Sequence, residues 1–236
     1  MRIVSWNCQG AFRKKAKYIL KMQPDIVVIQ ECEPLEKLSF DDELARPQIM
    51  QWFGDGKKGI GIFSYSNYNF IVDVSYNPEI RHCIPLTVTG SETFNLLAVW
   101  AMNHDIRKLR YVGQLHAALN EYTEYMAKPD VIILGDFNSN AIWDYKPRIG
   151  THSELVRRLS EHGLVSIYHE LNEQTQGNEE QNTFFLYRHE DRGYHIDYCF
   201  VPLEWMNNIS KFEIGDYKTW SPHSDHCPLL IEFKEG

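Results

Sequence analysis

Apolar residues in this chain come in short blocks, most of them too short to be helices. Ile3–Trp6, Ile26–Ile29, Ile60–Ser64, Asn69–Ser75, Phe94–Ala101, Val131–Leu134, Ile196–Val201 and Leu229–Phe233 are rich in β-branched and aromatic side chains. Blocks of this length and composition predict strands. A helical period appears in four places. Lys14–Met22 predicts a helix that stops at Gln23-Pro24-Asp25. Ile106–Ala127 predicts the longest one, with Leu109, Val112, Leu115, Leu119 and Tyr122 on one face. Ser153–Glu161 predicts a helix capped by its serine and ended by Gly163. Leu35–Leu44 carries a fourth, less regular pattern. Asn172–Asn182 is rich in Asn, Gln and Glu and reads as an exposed loop.

The order of these elements implies an architecture. The chain starts β-α-β, runs through several strands before the long helix, and then repeats β-α-β with further strands. A doubly wound sheet needs a helix between most strands, and Asn69–Ala101 has no room for them. The pattern predicts an α/β sandwich of two packed sheets with helices outside. No linker, low-complexity tract or repeat divides the 236 residues, so one domain over 1–236 is expected.

Composition narrows the function classes. The chain is 43% apolar and 24% charged, enough for a sizeable core. No apolar run approaches the roughly 18–20 residues of a membrane span. Met1–Trp6 lacks a signal-peptide core, so no membrane association is expected. The five cysteines, Cys8, Cys32, Cys83, Cys199 and Cys227, show neither zinc nor redox spacing. Buried thiols in a reducing compartment, most simply the cytoplasm, are the expectation. The net charge of −8 argues against gripping nucleic acid by a large basic face. It leaves room for a metal enzyme acting on a phosphodiester, because bound cations supply the local positive field. Basic residues still cluster at Arg13–Lys17, which reads as a solvated helix face, and at Arg107–Arg110.

Five short motifs adjoin or lie within the strand blocks. They are Ser-Trp-Asn-Cys-Gln-Gly at Ser5–Gly10, Ile29-Gln30-Glu31, Gly135-Asp136-Phe137-Asn138, His195-Ile196-Asp197-Tyr198 and Ser-Asp-His-Cys-Pro-Leu at Ser224–Leu229. Together they collect carboxylates, carboxamides and a histidine: hard oxygen ligands for Mg²⁺ plus a proton-handling group. Asn7 can orient a carboxylate, touch a metal or bind a phosphate oxygen. Glu31 ends an apolar strand, where a lone carboxylate needs a cation; Glu33, two residues on, is expected to face solvent. The 136/138 spacing sends Asp136 and Asn138 to one side of an extended chain, and Gly135 allows the turn. Asp197, inside an apolar strand, needs a partner, and the imidazole of Asp225-His226 is a good one.

On these motifs, from Asn7 to His226, the chain resembles the endonuclease/exonuclease/phosphatase family. That group includes pancreatic-type deoxyribonucleases and exonuclease III-like repair endonucleases. The resemblance implies a four-layer α/β sandwich, two packed, mainly antiparallel β-sheets flanked by helices, with the cleft at the sheet edges. It implies Mg²⁺ as cofactor, with Mn²⁺ as a substitute. Asn7, Glu31 and Asp225 match the family's metal-holding positions. Asp136, Asn138, Asp197 and His226 match its catalytic ones, with Asp197 orienting His226. Trp100 stands where the family usually has a histidine or tyrosine; indole has one N–H donor and no acid–base role. His104 is a candidate to reach in from the following loop, and Asn103 matches a substrate-touching asparagine. Arg107 begins the long helix beside the cleft. Trp143, with Tyr145, Lys146 and Arg148, mixes aromatic and basic residues as base stacking and phosphate contact require. Thr183–Tyr187 resembles a strand that lines the substrate pocket.

The expected function is a divalent-metal-dependent phosphodiester hydrolase, a nuclease on DNA or RNA, with nucleic acid as its partner and no obligate protein partner. Asp136 orients or deprotonates the attacking water, and His226 stabilises the phosphoryl oxygens as an imidazolium; general base is the alternative assignment for His226. The alternatives are a phosphomonoesterase or a lipid or small-molecule phosphodiesterase, and a non-catalytic binding protein on the same scaffold.

Overall fold

The apolar blocks that lack a polar face become the centres of two sheets. The computed structural model describes residues 1–40, 45–145 and 150–234. Its strands, in chain order, are β1 (Arg2–Asn7), β2 (Ile26–Cys32), β3 (Ile49–Asp55), β4 (Lys58–Ser64), β5 (Asn69–Val72), β6 (Cys83–Thr89), β7 (Phe94–Trp100), β8 (Val131–Asp136), β9 (Leu164–Ser166), β10 (Phe184–Phe185), β11 (Gly193–Tyr194), β12 (Asp197–Pro202), β13 (Ile209–Ile214) and β14 (Leu229–Phe233). One six-stranded sheet has the order β13-β14-β1-β2-β4-β3 and the other β5-β6-β7-β8-β12-β9; β10 and β11 form a separate ribbon. Each large sheet holds one parallel pair, β1·β2 and β7·β8, among antiparallel ladders.

Both faces of the parallel strands are covered, which is why their sequences are continuous apolar runs rather than alternating ones. Leu96, Ala98, Ile132 and Leu134 of the second sheet join one core cluster with Trp6, Ile62, Leu229 and Ile231 of the first. On the opposite face, Leu97, Val99 and Ile133 pack with Leu115 and Leu119 of α2 (Val112–Glu121) and with Leu155 and Leu159 of α4 (His152–Glu161). Ala16 and Ile19 of α1 (Ala16–Leu20), the crossover between β1 and β2, are buried with the first cluster. The result is the expected α/β sandwich of two packed sheets flanked by helices.

Several elements differ from the sequence reading. β3 and β13 are the two edges of the first sheet and are largely half-exposed, so their apolar pattern is weak. β6 contains Pro85, which argues against a strand. Pro85 O accepts Asp73 N just past the Val72↔Leu86 pair, so the missing N–H points beyond the end of β5 and breaks no ladder bond. The expected helix Ile106–Ala127 is divided. A 3₁₀ turn covers Arg107–Leu109, α2 starts after Tyr111 at φ 53°, and α3 (Thr123–Met126) follows Tyr122. Tyr122 is buried at that break, and its hydroxyl donates to Cys83 O at 3.2 Å. The cap of α4 is Thr151, whose Oγ1 accepts Glu154 N; Ser153 is turned instead toward the Asp144 carboxylate. Of Leu35–Leu44, only Leu35–Lys37 forms a 3₁₀ turn, and 41–44 lie outside the described residues.

The segment Asn172–Asn182 is not a simple exposed loop. It folds back on three buried histidines. His152 Nε2 lies 3.0 Å from Gln176 Oε1, His169 Nε2 3.0 Å from Glu179 Oε1, and His195 Nδ1 2.8 Å from Gln181 O. Burial pushes His195 down to about 4 and His152 below the usual imidazole range. Burial alone would raise Glu179, but hydrogen bonds from His169, Gly177 and Asn140 hold its carboxyl at about 2. Groups held neutral (His195) or ionised (Glu179) in this way stabilise the fold above their unfolded values. That contribution is lost as pH falls, first from about 6.5 toward 4 for His195 and then from about 4.5 toward 2 for Glu179. His195 alone is worth about 3 kcal/mol across its window. Urea unfolding between pH 7 and pH 4 should show this decline, and His195→Gln should flatten it. A wild-type stability that stays level to pH 4 contradicts the assignment.

Candidate active site

The carboxyl ends of the two parallel strand pairs meet at one edge of the sandwich, and backbone features there aim polar side chains inward. Asn7 ends β1 opposite Gln30. The β2·β4 register then slips between Ile29↔Gly61 and Cys32↔Gly59, so β2 carries one extra residue. Glu31 lies in this bulge at φ 56°. A bulge bends the strand and re-aims a side chain, and a non-glycine residue there costs on the order of 1 kcal/mol or more. Gly135, at φ 141°, is required on β8: a Cβ would meet Val99 O at 2.0 Å. The β12·β8 register sets Asp197 directly opposite Asp136.

Asp136 is fully buried. Its carboxylate accepts Asn7 Nδ2 at 3.0 Å, Asn138 N at 2.8 Å and Asn138 Nδ2 at 3.1 Å. Asn138, at φ 47°, also donates from Nδ2 to Ala101 O. His226 Nδ1 lies 2.9 Å from Asp197 Oδ2, and its Nε2 lies 3.9 Å from Asp136 Oδ2. Ligating atoms of Asp136, Asp197 and His226 all lie within 4.8 Å of one another. The last motif is bound to the first: Ser224 Oγ donates to Asn7 O at 2.7 Å, and Trp6 Nε1 donates to His226 O at 2.8 Å.

Charge in this cluster is interdependent. Burial raises Asp136, while the neighbouring His226 cation pulls it back. Burial works against a charged His226, but Asp197 and Asp136 outweigh it and raise the imidazole well above its ordinary value. Burial also raises Asp225, and the Glu31 charge adds to the rise. Asp225 Oδ2 accepts Gln9 Nε2 at 2.7 Å, and Glu31 Oε1 accepts Asn7 Nδ2 at 3.4 Å. The Lys58 ammonium is ion-paired with Glu31 Oε2. Glu31 is thus linked through the Asn7 carboxamide to Asp136, lies close enough to Asp225 to act on its proton, and already attracts an ammonium. Such a donor set suits a hard divalent cation.

Asn7, Glu31, Asp136, Asn138, Asp197, Asp225 and His226 therefore converge. The expected substrate residues are placed less uniformly. Asn103 is exposed on the loop after β7, and Arg107 is exposed at the start of the 3₁₀ turn that follows. His104 is buried, with Nδ1 accepting Ile106 N at 3.0 Å. Trp143 is half-buried against Tyr194, whose ring stacks toward Phe184, and Phe184 lies 4.7 Å from the His226 ring. This aromatic row runs outward from His226. Lys146 and Arg148 lie outside the described residues. Trp100 is only 6% exposed, and His82 stacks on it at 4.6 Å. Trp100→Ala should therefore lower the melting temperature, by a loss of about 3–5 kcal/mol for a buried tryptophan. Substrate titration beside the melt checks this: an unchanged melt with binding weakened roughly 5- to 150-fold would instead give Trp100 the base-stacking role.

Three further residues complete the site, and the sequence reading marked only the stretches that hold two of them. Thr183 Oγ1 donates to Asp197 Oδ2 at 2.6 Å and accepts Ile196 N and Asp197 N. Gln9 and Lys58 hold Asp225 and Glu31. Gln9 lies inside the first motif and Thr183 opens the Thr183–Tyr187 stretch, whereas Lys58, two residues before the Ile60–Ser64 block, carried no signal. Glu33 is a correction: it is 5% exposed rather than facing solvent. Its carboxylate accepts Phe12 N and Arg13 N and pairs with the Arg13 guanidinium, closing the 3₁₀ turn before α1. All five cysteines are buried free thiols.

A model of the Endonuclease/Exonuclease/phosphatase family matches residues 4–226. No curated protein matches by sequence. Among solved structures, the chain is similar to a 3′ phosphatase from Neisseria, NExo, bound to a product DNA hairpin, at 20% identity and TM-score 0.71, covering 100% of both chains. An AP endonuclease from Archaeoglobus fulgidus matches at 19% identity and TM-score 0.73, again over 100% of both. The AP endonuclease LMAP from Leishmania major matches at 15% identity and TM-score 0.72, over 100% of this chain and 88% of that one.

Proposed function

This chain belongs to the endonuclease/exonuclease/phosphatase family, and from that membership we propose that it is a nuclease, a divalent-metal-dependent phosphodiester hydrolase acting on nucleic acid. The observation that carries the reading is the buried Asp136–His226–Asp197 cluster, with Asn7, Glu31 and Asp225 beside it. Glu31 and Asp225, with Asn7, are the residues that would hold Mg²⁺ or Mn²⁺. When bound, the ion neutralises charge that develops on the phosphate.

The protein's own groups divide the remaining work. Asp136 takes a proton from the attacking water, and its raised proton affinity suits a base working near neutral pH. Asn7 and Asn138 hold its carboxylate in one orientation. Asp197 accepts the Nδ1 proton of His226, which leaves Nε2 to donate to phosphoryl oxygens. Thr183 fixes Asp197 in turn. The aromatic row Phe184–Tyr194–Trp143 supplies flat faces for unstacked bases. One catalytic domain over 1–236, working in the cytoplasm, belongs to the same proposal. It is supported by a core cluster common to both sheets and by the free thiols. Among the described residues no helix is long and apolar enough to cross a membrane.

The test is a screen of the purified protein with Mg²⁺ or Mn²⁺ over single- and double-stranded DNA, RNA, 3′-phosphorylated ends, a generic phosphodiester and phosphoinositides. Cleavage of a nucleic acid that stops in EDTA and falls by orders of magnitude in Glu31→Gln is expected. Full activity in EDTA rejects the metal role, and exclusive action on phosphoinositides rejects the nuclease.

A further inference from the structure

We infer that Lys58 is a tethered cation that competes with the divalent ion for Glu31 and so sets how tightly the ion is held. The inference rests on the metal-hydrolase reading above. Lys58 opens β4, directly across the hairpin from Asp55. The bulge that re-aims Glu31 ends at Cys32↔Gly59, one residue from Lys58, and so brings the two side chains together. The lysine stem lies over Gly10, where an added Cβ would sit 3.5 Å from Lys58 Cε. Its ammonium then ends on Glu31 Oε2, while Asn7 occupies Oε1.

Both Glu31 oxygens are thus engaged by the protein itself. An ion that takes Glu31 has to displace the ammonium or share an oxygen with it. His226 cannot yield in this way, because it is 5% exposed and tied to Asp197. The Lys58 side chain is 47% exposed and can swing toward solvent. The metal-free protein is neutralised at Glu31, and loading becomes an exchange of one cation for another. Two like charges at one carboxylate repel, and at a half-exposed, screened position that repulsion amounts to about tenfold in affinity.

Binding of Mn²⁺ to the full chain without substrate tests this, read from the electron paramagnetic resonance signal of free Mn²⁺. Lys58→Met keeps the stem over Gly10 and removes the charge. Its dissociation constant should fall about tenfold below wild type, and Lys58→Gln should follow it. Lys58→Arg keeps the charge and should stay within about twofold. Metal-free Lys58→Met should melt below wild type and gain more from saturating Mn²⁺. Raising the salt should narrow the difference. Equal or weaker Mn²⁺ binding by both neutral variants overturns the inference while leaving the metal reading intact. A wild-type protein that binds no Mn²⁺ overturns both.

Discussion

Asp136→Asn should cost about three orders of magnitude or more in turnover while the protein still folds. The substitution keeps the size of a fully buried side chain. It removes the charge that would accept the water's proton, and it places an amide where Asn7 Nδ2 and Asn138 Nδ2 both donate. A general base is worth about 10²–10⁴-fold, and a misdirected donor adds to the loss. Stability changes little, because two effects oppose. A buried charge no longer has to be desolvated, but the His226 cation loses a neighbour. Single-turnover cleavage beside thermal melting checks both halves. Turnover within tenfold of wild type removes Asp136 from the chemistry, and a collapsed melt makes the loss structural.

Asp197→Asn should lower the proton affinity of His226 and cost about 10²–10⁴-fold in turnover. In the wild type, Asp197 and Asp136 raise the imidazole above its unfolded value against the pull of burial. The stability supplied by the charged ring is therefore complete below about pH 6.5 and is lost as pH rises through the raised folded value. Without the Asp197 charge, that loss and the alkaline limb of the pH–rate profile should both move to lower pH. The ring resonances of His226 report the titration directly. Asp197→Asn combined with His226→Gln should cost much less than the sum of the single changes, because the two side chains act as a unit. Additive losses would show that they work independently.

Much of the fold was legible because its centre is repetitive. Ile26–Ile29, Leu96–Ala101 and Val131–Leu134 are apolar on both faces, as strands covered on both sides are. The edges were not legible. β3 and β13 alternate poorly because solvent meets them, and β6 is disguised by Pro85, whose missing N–H matters only relative to where β5 ends. The long helix read from period alone takes no account of the buried Tyr122 hydroxyl reaching Cys83. The loop around Glu179 looked exposed because its buried partners, His152, His169 and His195, come from other elements.

Which chemical groups stand beside the apolar runs could be read from the chain: Asn7, Glu31, Asp136, Asn138, Asp197, Asp225 and His226. That is local information, carried by residue type next to an apolar run. How those groups face one another depends on the packing of distant strands. Ladder register sets Asp197 opposite Asp136, a bulge aims Glu31, and chain segments far apart in sequence bring Thr183 to Asp197, Gln9 to Asp225 and Lys58 to Glu31. Register and bulges follow from hydrogen bonding between distant strands, and a short polar side chain leaves no periodic trace of the partner it will meet.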